Sequence, residues 1–397
     1  MEQVSDRLAK LSASATIAMN QKSKDLQAQG IDVINLSVGE PDFNTPDHIK
    51  AAAKKAIDDN YSFYPPVAGY PALRTAIVDK LKKQNGLDYT ADQITVSNGA
   101  KHSIVNVLLC IINEGDEVII PAPYWVSYAE QVKISEGTNV ILDTGIEDDF
   151  KVTPEQVQQA ITPKTRAIML CSPSNPTGSV YSKDELEALA NVLAKHERII
   201  IISDEIYEHI NYIGKHESIA QFSNVKDRVV LVNGVSKGYA MTGWRLGYIA
   251  APLWITKAVT KLQGQFTSGA TAVAQIASIT ALTGDHGPTE EMNKAFRRRR
   301  DLVLGHLEGI DGVKCSIPEG AFYVFPDLSK YFGKSVEGQE IKDSSDLCMY
   351  LLESGHIATV PGSAFGAPDC VRISFANSDE NLEEAMKRLK NALAKMS

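Results

Sequence analysis

Apolar runs and amphipathic stretches alternate along most of the chain, and their order predicts strands separated by helices. Ala167–Cys171 and Val229–Val232 have the length and composition of buried strands. Arg198–Ser203 contains four successive isoleucines, which indicates a strand buried on both faces, as in a parallel sheet. Ser182–Lys195 has a helical pattern that begins with a capping box. The alternation predicts an α/β fold with a mostly parallel, doubly wound sheet.

The two ends of the chain follow a different pattern. Residues 1–30 have the pattern of a polar helix, and residues 290–397 alternate helices with short strands. We therefore predict a large α/β cofactor domain over residues 46–285. Residues 1–45 and 286–397 together are predicted to form a smaller α+β domain.

Composition and charge narrow the class of protein. The 397 residues, 44% hydrophobic and 22% charged, suit a globular chain of roughly two or three domains. A net charge of -9 argues against a nucleic-acid partner, and we interpret the basic run Arg297–Arg300 as solvated charge. The 5 cysteines are widely spaced, so neither a disulfide framework nor a metal site is expected. The polar N-terminus and the absence of long apolar runs predict a cytoplasmic protein without a membrane partner.

One lysine in a short loop between two predicted core strands is the first chemical candidate. Lys237 follows Val229–Val232, and the apolar run Leu246–Ala251 comes soon after it. A lysine among apolar neighbours and near another cation, here Arg245, loses proton affinity and becomes an amine nucleophile for carbonyl compounds. The alternative is a lysine that extends its amine to water.

Polar side chains also follow the two preceding strands. Asn175 comes after Ala167–Cys171, and Asp204 ends Arg198–Ser203. Because the carboxyl ends of parallel strands meet at one edge of a sheet, these residues and Lys237 are predicted to share one site. A carboxylate at a buried strand end needs a cation or hydrogen-bond donors, although a helix N-cap is the alternative for Asp204.

Three further features indicate binding of anions or of a flat ring. Gly99, Ala100 and Lys101 join a strand to a helix, and such a turn offers free N–H groups to an anion. Arg372 lies between apolar residues of a strand-like segment, so it either faces inward to bind a carboxylate or forms a surface salt bridge. Trp125 follows a strand end, where it either stacks on a planar ring or packs in the core.

Two segments carry a resemblance to a known family. Ser236-Lys237, continuing to Met241-Thr242-Gly243-Trp244-Arg245, and Ser172-Pro173-Ser174-Asn175-Pro176-Thr177-Gly178 resemble the motifs of class I (fold type I) pyridoxal-phosphate aminotransferases. The matches extend from Gly39 to Arg372 and are most similar to the bacterial aspartate aminotransferase subgroup. The resemblance implies that Lys237 binds pyridoxal 5'-phosphate covalently and is the catalytic residue.

The resemblance also implies roles for the other candidates. Asp204 would meet the pyridine nitrogen, while Asn175 and Tyr207 would hold the phenolic oxygen and Trp125 would stack on the ring. The phosphate would be held by Gly99, Ala100, Lys101, Ser236, Arg245 and, from the partner subunit of a homodimer, Tyr64. Gly39, Lys101, Trp125, Asn175 and Arg372 would bind the substrate, with Arg372 on its α-carboxylate and Lys101 on its distal carboxylate.

The implied reaction is transamination of aspartate with 2-oxoglutarate to oxaloacetate and glutamate, with amino acids and 2-oxo acids as small-molecule partners. Three alternatives stay open: an aminotransferase for aromatic or neutral amino acids or prephenate, a related pyridoxal-phosphate lyase, and a pyridoxal-phosphate-binding regulator without catalysis. Some family members carry a lysine near position 12 that accompanies prephenate use. Ser12 stands there in this chain, which argues against prephenate.

Overall fold

The structure, a computed structural model, describes residues 4–336 and 338–396. The first residues of the helix predicted over residues 1–30 therefore lie outside the described residues. The helices are α1 (Asp6–Ala9), α2 (Ala15–Ala28), α3 (Asp47–Asp58), α4 (Pro71–Lys80), α5 (Ala100–Ile111), α6 (Ser127–Ile134), α7 (Pro154–Ala160), α8 (Lys183–Leu193), α9 (Leu253–Phe266), α10 (Ala272–Thr283), α11 (Gly287–Leu307), α12 (Ser344–Glu353) and α13 (Asp379–Ala394). The strands are β1 (Ile34–Asn35), β2 (Ile94–Ser97), β3 (Glu117–Pro121), β4 (Thr138–Leu142), β5 (Thr165–Cys171), β6 (Ile200–Asp204), β7 (Val229–Gly234), β8 (Gly247–Ala250), β9 (Tyr323–Val324), β10 (Ser335–Val336), β11 (Gln339–Glu340), β12 (Ile357–Ala358), β13 (Val360–Pro361) and β14 (Val371–Ser374).

A seven-stranded sheet with the order β2-β8-β7-β6-β5-β3-β4 forms the centre of the molecule. Its strand pairs are parallel except those of β8, which runs antiparallel to both β7 and β2. The predicted mixed α/β architecture with a mostly parallel sheet is confirmed. Because β2 runs in the same direction as β5, β6 and β7, the carboxyl ends of these four strands lie at one edge of the sheet.

Local signals explain where the helices around this sheet begin. The capping box of α8 is formed, since Ser182 N donates to Glu185 Oε2 at 2.7 Å and Glu185 N donates to Ser182 Oγ at 3.3 Å. The apolar pattern predicts a helix from Ser103 to Ile112, but α5 begins three residues earlier, at Ala100. Gly99, with φ of +87°, turns the chain directly from β2 into this helix. Lys101 therefore lies in the first helical turn.

Both ends of the chain contribute to a second core beside the large sheet. β1 pairs in parallel with β12, and β14 pairs with β9 and β13. A buried apolar cluster packs these short strands against α11, α12 and α13. This cluster combines residues from the N-terminal and C-terminal segments, while the boundaries at residues 46 and 285 stay a prediction.

The interpretation of Arg297–Arg300 as solvated charge is wrong for its last two residues. The side chains of Arg299 and Arg300, both in α11, are buried. Arg299 Nη1 lies 2.8 Å from Asp42 Oδ1, and Arg300 Nη1 donates to the carbonyl oxygen of Pro318 at 3.0 Å. The helical period places two of four successive arginines on the covered face, which the charge pattern alone does not reveal.

Candidate active site

A cavity of about 280 Å³ opens at the carboxyl edge of the large sheet, next to the second core. Most of the predicted site residues line it: Gly39, Ala100, Lys101, Trp125, Asn175, Asp204, Tyr207, Ser236, Lys237, Arg245 and Arg372. Asn175, Asp204 and Lys237 reach it from the ends of the adjacent parallel strands β5, β6 and β7. The strand-end rule therefore brings these three side chains to one place.

The Lys237 amine lies in the loop between β7 and β8 and points into the cavity. Nζ donates to the carbonyl oxygen of Gly39 at 2.5 Å and lies 5.6 Å from the centre of the Tyr207 ring. Burial lowers the pKa of Lys237 to about 8; the Glu40 carboxylate partly opposes this shift, and the Arg372 guanidinium adds to it. A larger fraction of this amine is therefore neutral near pH 7 than for an exposed lysine.

Asp204 ends β6 as a buried carboxylate. Its Oδ2 accepts a hydrogen bond from the Tyr128 hydroxyl at 2.6 Å, and its Oδ1 accepts one from the backbone N–H of Ile206 at 3.2 Å. Burial nevertheless raises the pKa of Asp204 to about 6. The bond from Ile206 resembles a helix cap, but the side chain also lines the cavity, where a cation would stabilise its charge.

Tyr128 is a functional candidate that the sequence reasoning missed. It lies in the first turn of α6, three residues after Trp125, and the two rings meet edge to face with centroids 5.4 Å apart. Residues three apart share one side of a helical turn. The prediction for Trp125 could therefore have been extended to Tyr128.

Arg372 lies in β14 and is fully buried, so the alternative of a surface salt bridge is wrong. Its Nη1 donates to Asn175 Oδ1 at 2.9 Å, and its Nη2 donates to the carbonyl oxygen of Ser37 at 2.7 Å. Its Nε has no hydrogen-bond partner, and no carboxylate within the described ranges pairs with it. The guanidinium also lies over the Tyr323 ring, 4.5 Å from its centre. A buried cation with unused donors fits a carboxylate ligand.

Tyr323 is a second residue that the sequence reasoning missed. Its hydroxyl lies 2.8 Å from the hydroxyl of Tyr207, and both side chains line the cavity. A Cβ at Gly39 would lie 2.6 Å from the Tyr323 hydroxyl, so only glycine allows this close approach. The strand-like pattern of residues 320–325 predicts that Tyr323 lies in a strand. It does not reveal which distant segments this strand packs against.

The N-terminus of α5 and one arginine form a cradle for an anion. The Arg245 side chain lies beside Gly99, where an added Cβ would be 2.8 Å from Nη2. Its Nη1 donates to the carbonyl oxygen of Thr242 at 3.0 Å. Ala100 begins the helix, and Ser236 lines the cavity next to Lys237. Free N–H groups, a hydroxyl and a guanidinium suit a phosphate, although Gly99 itself does not line the cavity.

Lys101 and Trp125 form another wall of the cavity. Lys101 Nζ lies 4.9 Å from the centre of the Trp125 ring. Partial burial and then repulsion by Arg245 lower the pKa of Lys101. Lys101 is thus a second cation of the cavity, and it can pair with a distal anionic group of a ligand.

Tyr64 does not line the cavity of its own chain. Its side chain is 95% exposed, in the loop between α3 and α4. The expectation that Tyr64 serves the neighbouring subunit stays a prediction.

The donor set fits pyridoxal phosphate, the cofactor that the sequence motifs imply. Lys237 offers an amine for the aldehyde, and Asp204 offers a carboxylate for the pyridine nitrogen. The cradle beside Gly99 offers donors for the phosphate. Arg372, with its unpartnered Nε, keeps a separate cation for a substrate carboxylate.

Comparison with known proteins gives matches along nearly the whole chain. The family model described as aminotransferase class I and II matches residues 31–389. The bifunctional aspartate aminotransferase and glutamate/aspartate-prephenate aminotransferase of Petunia hybrida is 48% identical over 395 residues, covering 98% of this chain and 82% of that protein. Aspartate aminotransferase of Geobacillus stearothermophilus is 47% identical over 385 residues, covering 96% of this chain and 97% of that protein. The crystal structure of aspartate aminotransferase from Rhizobium meliloti superposes with a TM-score of 0.96 at 42% identity, and the match covers 100% of both chains.

Proposed function

Because the chain belongs to the class I and II aminotransferases, we propose that it transfers the amino group of aspartate to 2-oxoglutarate, forming oxaloacetate and glutamate. Enzymes of this family depend on pyridoxal phosphate. The choice of substrate rests on two cations, Arg372 and Lys101, which line the same cavity as the Lys237 amine. Arg372 is buried without a carboxylate partner in the described residues, and Lys101 stands on another wall of the same cavity. A dicarboxylic amino acid can use both cations at once.

Lys237 performs the proton transfers in this proposal. Bound pyridoxal phosphate supplies an aldehyde for covalent attachment and a ring that stabilises negative charge at the substrate Cα. The Lys237 Nζ would take the proton from the substrate Cα as a general base, and as a general acid it would deliver this proton to the aldehyde carbon of the cofactor. Its lowered pKa suits both directions of transfer, because neither protonation state is strongly favoured near pH 8.

The other side chains hold and orient the reacting groups. Asp204 keeps the pyridine nitrogen cationic, and the Arg372 guanidinium binds the α-carboxylate beside Asn175. The remaining assignments are Asn175 and Tyr207 to the phenolic oxygen, Trp125 to the ring face, Gly39 to the substrate carboxylate, and Gly99, Ala100, Lys101, Ser236, Arg245 and the partner's Tyr64 to the phosphate.

A spectroscopic half-reaction tests the proposed substrate. The purified protein, loaded with pyridoxal phosphate, is expected to lose its visible cofactor band on addition of aspartate. The band should return with 2-oxoglutarate, with one glutamate formed per oxaloacetate. Lys237→Ala is the matched control, since it should show neither the band nor borohydride trapping at that position. If phenylalanine changes the spectrum and aspartate does not, the proposed substrate is wrong.

The same assay separates the remaining alternatives. A lyase would release a product without forming glutamate, and a regulator would show no turnover. Prephenate is tested as an amino acceptor in this assay, because the name of the Petunia hybrida relative includes it. Ser12 argues against this use; its backbone N–H donates to Glu130 Oε2 at 2.9 Å, and the residue does not line the cavity.

A homodimer with shared sites is part of the proposal. Phe63 and Tyr64 are 81% and 95% exposed, and an exposed aromatic loop supports contact with a second copy of the chain. Lys237→Ala and Tyr64→Ala subunits are mixed to test sharing. The mixed dimer should regain activity at the site that combines an intact Lys237 with the intact tyrosine of the other subunit. No gain over the separate variants would contradict sharing.

We also propose a cytoplasmic location. None of the helices in the described part of the chain has the length and apolar character that crossing a lipid bilayer requires. All five cysteines are free thiols, which a reducing compartment maintains. Fractionation of the source cells tests the location, and recovery with the membrane or secreted fraction would contradict it.

A further inference from the structure

A buried polar network lies behind the candidate active site and does not line its cavity. Its centre is the carboxylate of Glu208, whose Oε1 accepts hydrogen bonds from Lys80 Nζ and, at 2.8 Å, from Asn233 Nδ2. Its Oε2 accepts from Asn85 Nδ2 at 2.8 Å, and Lys80 Nζ also donates to Asn85 Oδ1 at 2.9 Å. The side chains of Lys80 and Glu208 are only 1% and 5% exposed. Both carboxylate oxygens are therefore satisfied without water.

The network joins three separate segments of the chain. Glu208 directly follows Tyr207, which faces the cavity. Asn233 lies in β7, on the strand that leads into the loop of Lys237. Lys80 ends α4, and a π-helical turn over Leu81–Asn85 places Asn85 beside it. The side chains of Tyr207 and Glu208 thus point to opposite sides of one segment, one to the site and one to the network.

The charges in this network are balanced. Burial alone would raise the pKa of Glu208, but the Lys80 ammonium holds this pKa well below its usual range. A buried ion pair of this kind contributes little net stability compared with an apolar pair of similar volume. Its directional hydrogen bonds do, however, select one arrangement of the groups that they join.

We propose that Glu208 and Lys80 are positioning residues that hold β7 against the segment after β6, and so set where the Lys237 amine stands relative to the Tyr207 hydroxyl. This inference rests on the proposed roles of Lys237 and Tyr207. One further contact joins the same two parts of the chain. The Tyr239 hydroxyl lies 3.3 Å from His209 Nε2, on the residues that follow Lys237 and Glu208.

The test removes the ion pair while keeping its shape. The double variant Lys80→Met with Glu208→Gln leaves no unpaired charge in the interior. The matched control is Asp116→Asn, because Asp116 is a buried carboxylate that pairs with Arg198 at 2.7 Å just before β3, at the opposite edge of the sheet. Melting temperatures of both proteins report the structural cost of each change.

Three readouts distinguish positioning from stability. These are the pH midpoint of the cofactor absorption band, the pH midpoint for chemical labelling of Lys237 in cofactor-free protein, and kcat against KM. We expect the double variant to shift both midpoints by about half a pH unit or more. Its kcat should fall roughly 10-fold to 100-fold with little change in KM, since small misplacements of reacting groups have effects of this size. Asp116→Asn should melt earlier without changing the other readouts.

A folded double variant with unchanged midpoints and kcat would overturn the inference. If the double variant does not fold, Asn85→Ala decides in its place, because it removes one donor to Glu208 and keeps the ion pair. Smaller shifts of both pH midpoints in Asn85→Ala would support the positioning role. Midpoints equal to those of the wild type would overturn it. A wild-type protein that takes up no pyridoxal phosphate at Lys237 refutes the proposed function instead, and the labelling of cofactor-free protein still tests the network.

Discussion

Replacing Asp204 by asparagine should make the cofactor-free protein more stable and the enzyme less active. In the structure the carboxylate is buried and receives hydrogen bonds from the Tyr128 hydroxyl and the backbone N–H of Ile206. Asparagine has nearly the same shape and removes the charge. Its amide oxygen can accept from Ile206, and its amide nitrogen can donate to the Tyr128 oxygen.

The magnitude follows from the pKa of Asp204. Burial raises this pKa from 3.8 to about 6, and a difference of roughly 2 units corresponds to about 3 kcal/mol. The folded protein holds the proton more tightly than the unfolded chain, so stability is lost as the pH rises from 3.8 to about 6. The asparagine variant lacks this loss. Its advantage in unfolding free energy should be about 3 kcal/mol at pH 8 and about 1 kcal/mol at pH 4.5.

Denaturant unfolding of cofactor-free wild type and Asp204→Asn, followed by circular dichroism at pH 4.5 and pH 8 and at one protein concentration, measures this difference. An advantage that does not grow with pH, or a variant less stable at pH 8, would refute the reasoning about the buried charge. With pyridoxal phosphate bound the order should reverse, because only the carboxylate can pair with a cationic ring nitrogen. Transamination should then fall by about 100-fold or more.

Three further predictions test neighbouring residues. Chemical labelling of the Lys237 amine in cofactor-free protein should rise with a pH midpoint near 8, and a midpoint near that of exposed lysines would contradict its lowered pKa. Tyr128→Phe removes the hydrogen bond that lowers the pKa of Asp204, so this pKa should rise and the loss of unfolding free energy should extend to higher pH. If the unfolding free energy depends on pH as in the wild type, the Tyr128 hydroxyl does not stabilise the Asp204 charge. Arg372→Ala should weaken the half-reaction with aspartate and alanine alike, whereas Lys101→Ala should weaken it more with aspartate; equal losses in both variants would contradict the assignment of two cations.

The apolar pattern by itself was sufficient for the fold class and for one part of the candidate site. Runs of buried strand residues predicted the parallel sheet, and the strand-end rule, which needs no family resemblance, predicted that Asn175, Asp204 and Lys237 share one site. These inferences succeed because they need only burial, period and the shared direction of neighbouring strands. The start of α5 at Ala100 was missed by three residues, since the turn at Gly99 is decided by backbone conformation rather than by hydrophobic period.

Contacts between distant segments were decided only by the tertiary structure. Arg372 meets Asn175 across 197 residues of sequence, and Asp204 meets Tyr128 across 76. The charge run predicted solvent for Arg299, yet its side chain is buried beside Asp42. A sequence shows that a polar side chain must find a partner when it is buried, but the packing of separate elements selects that partner.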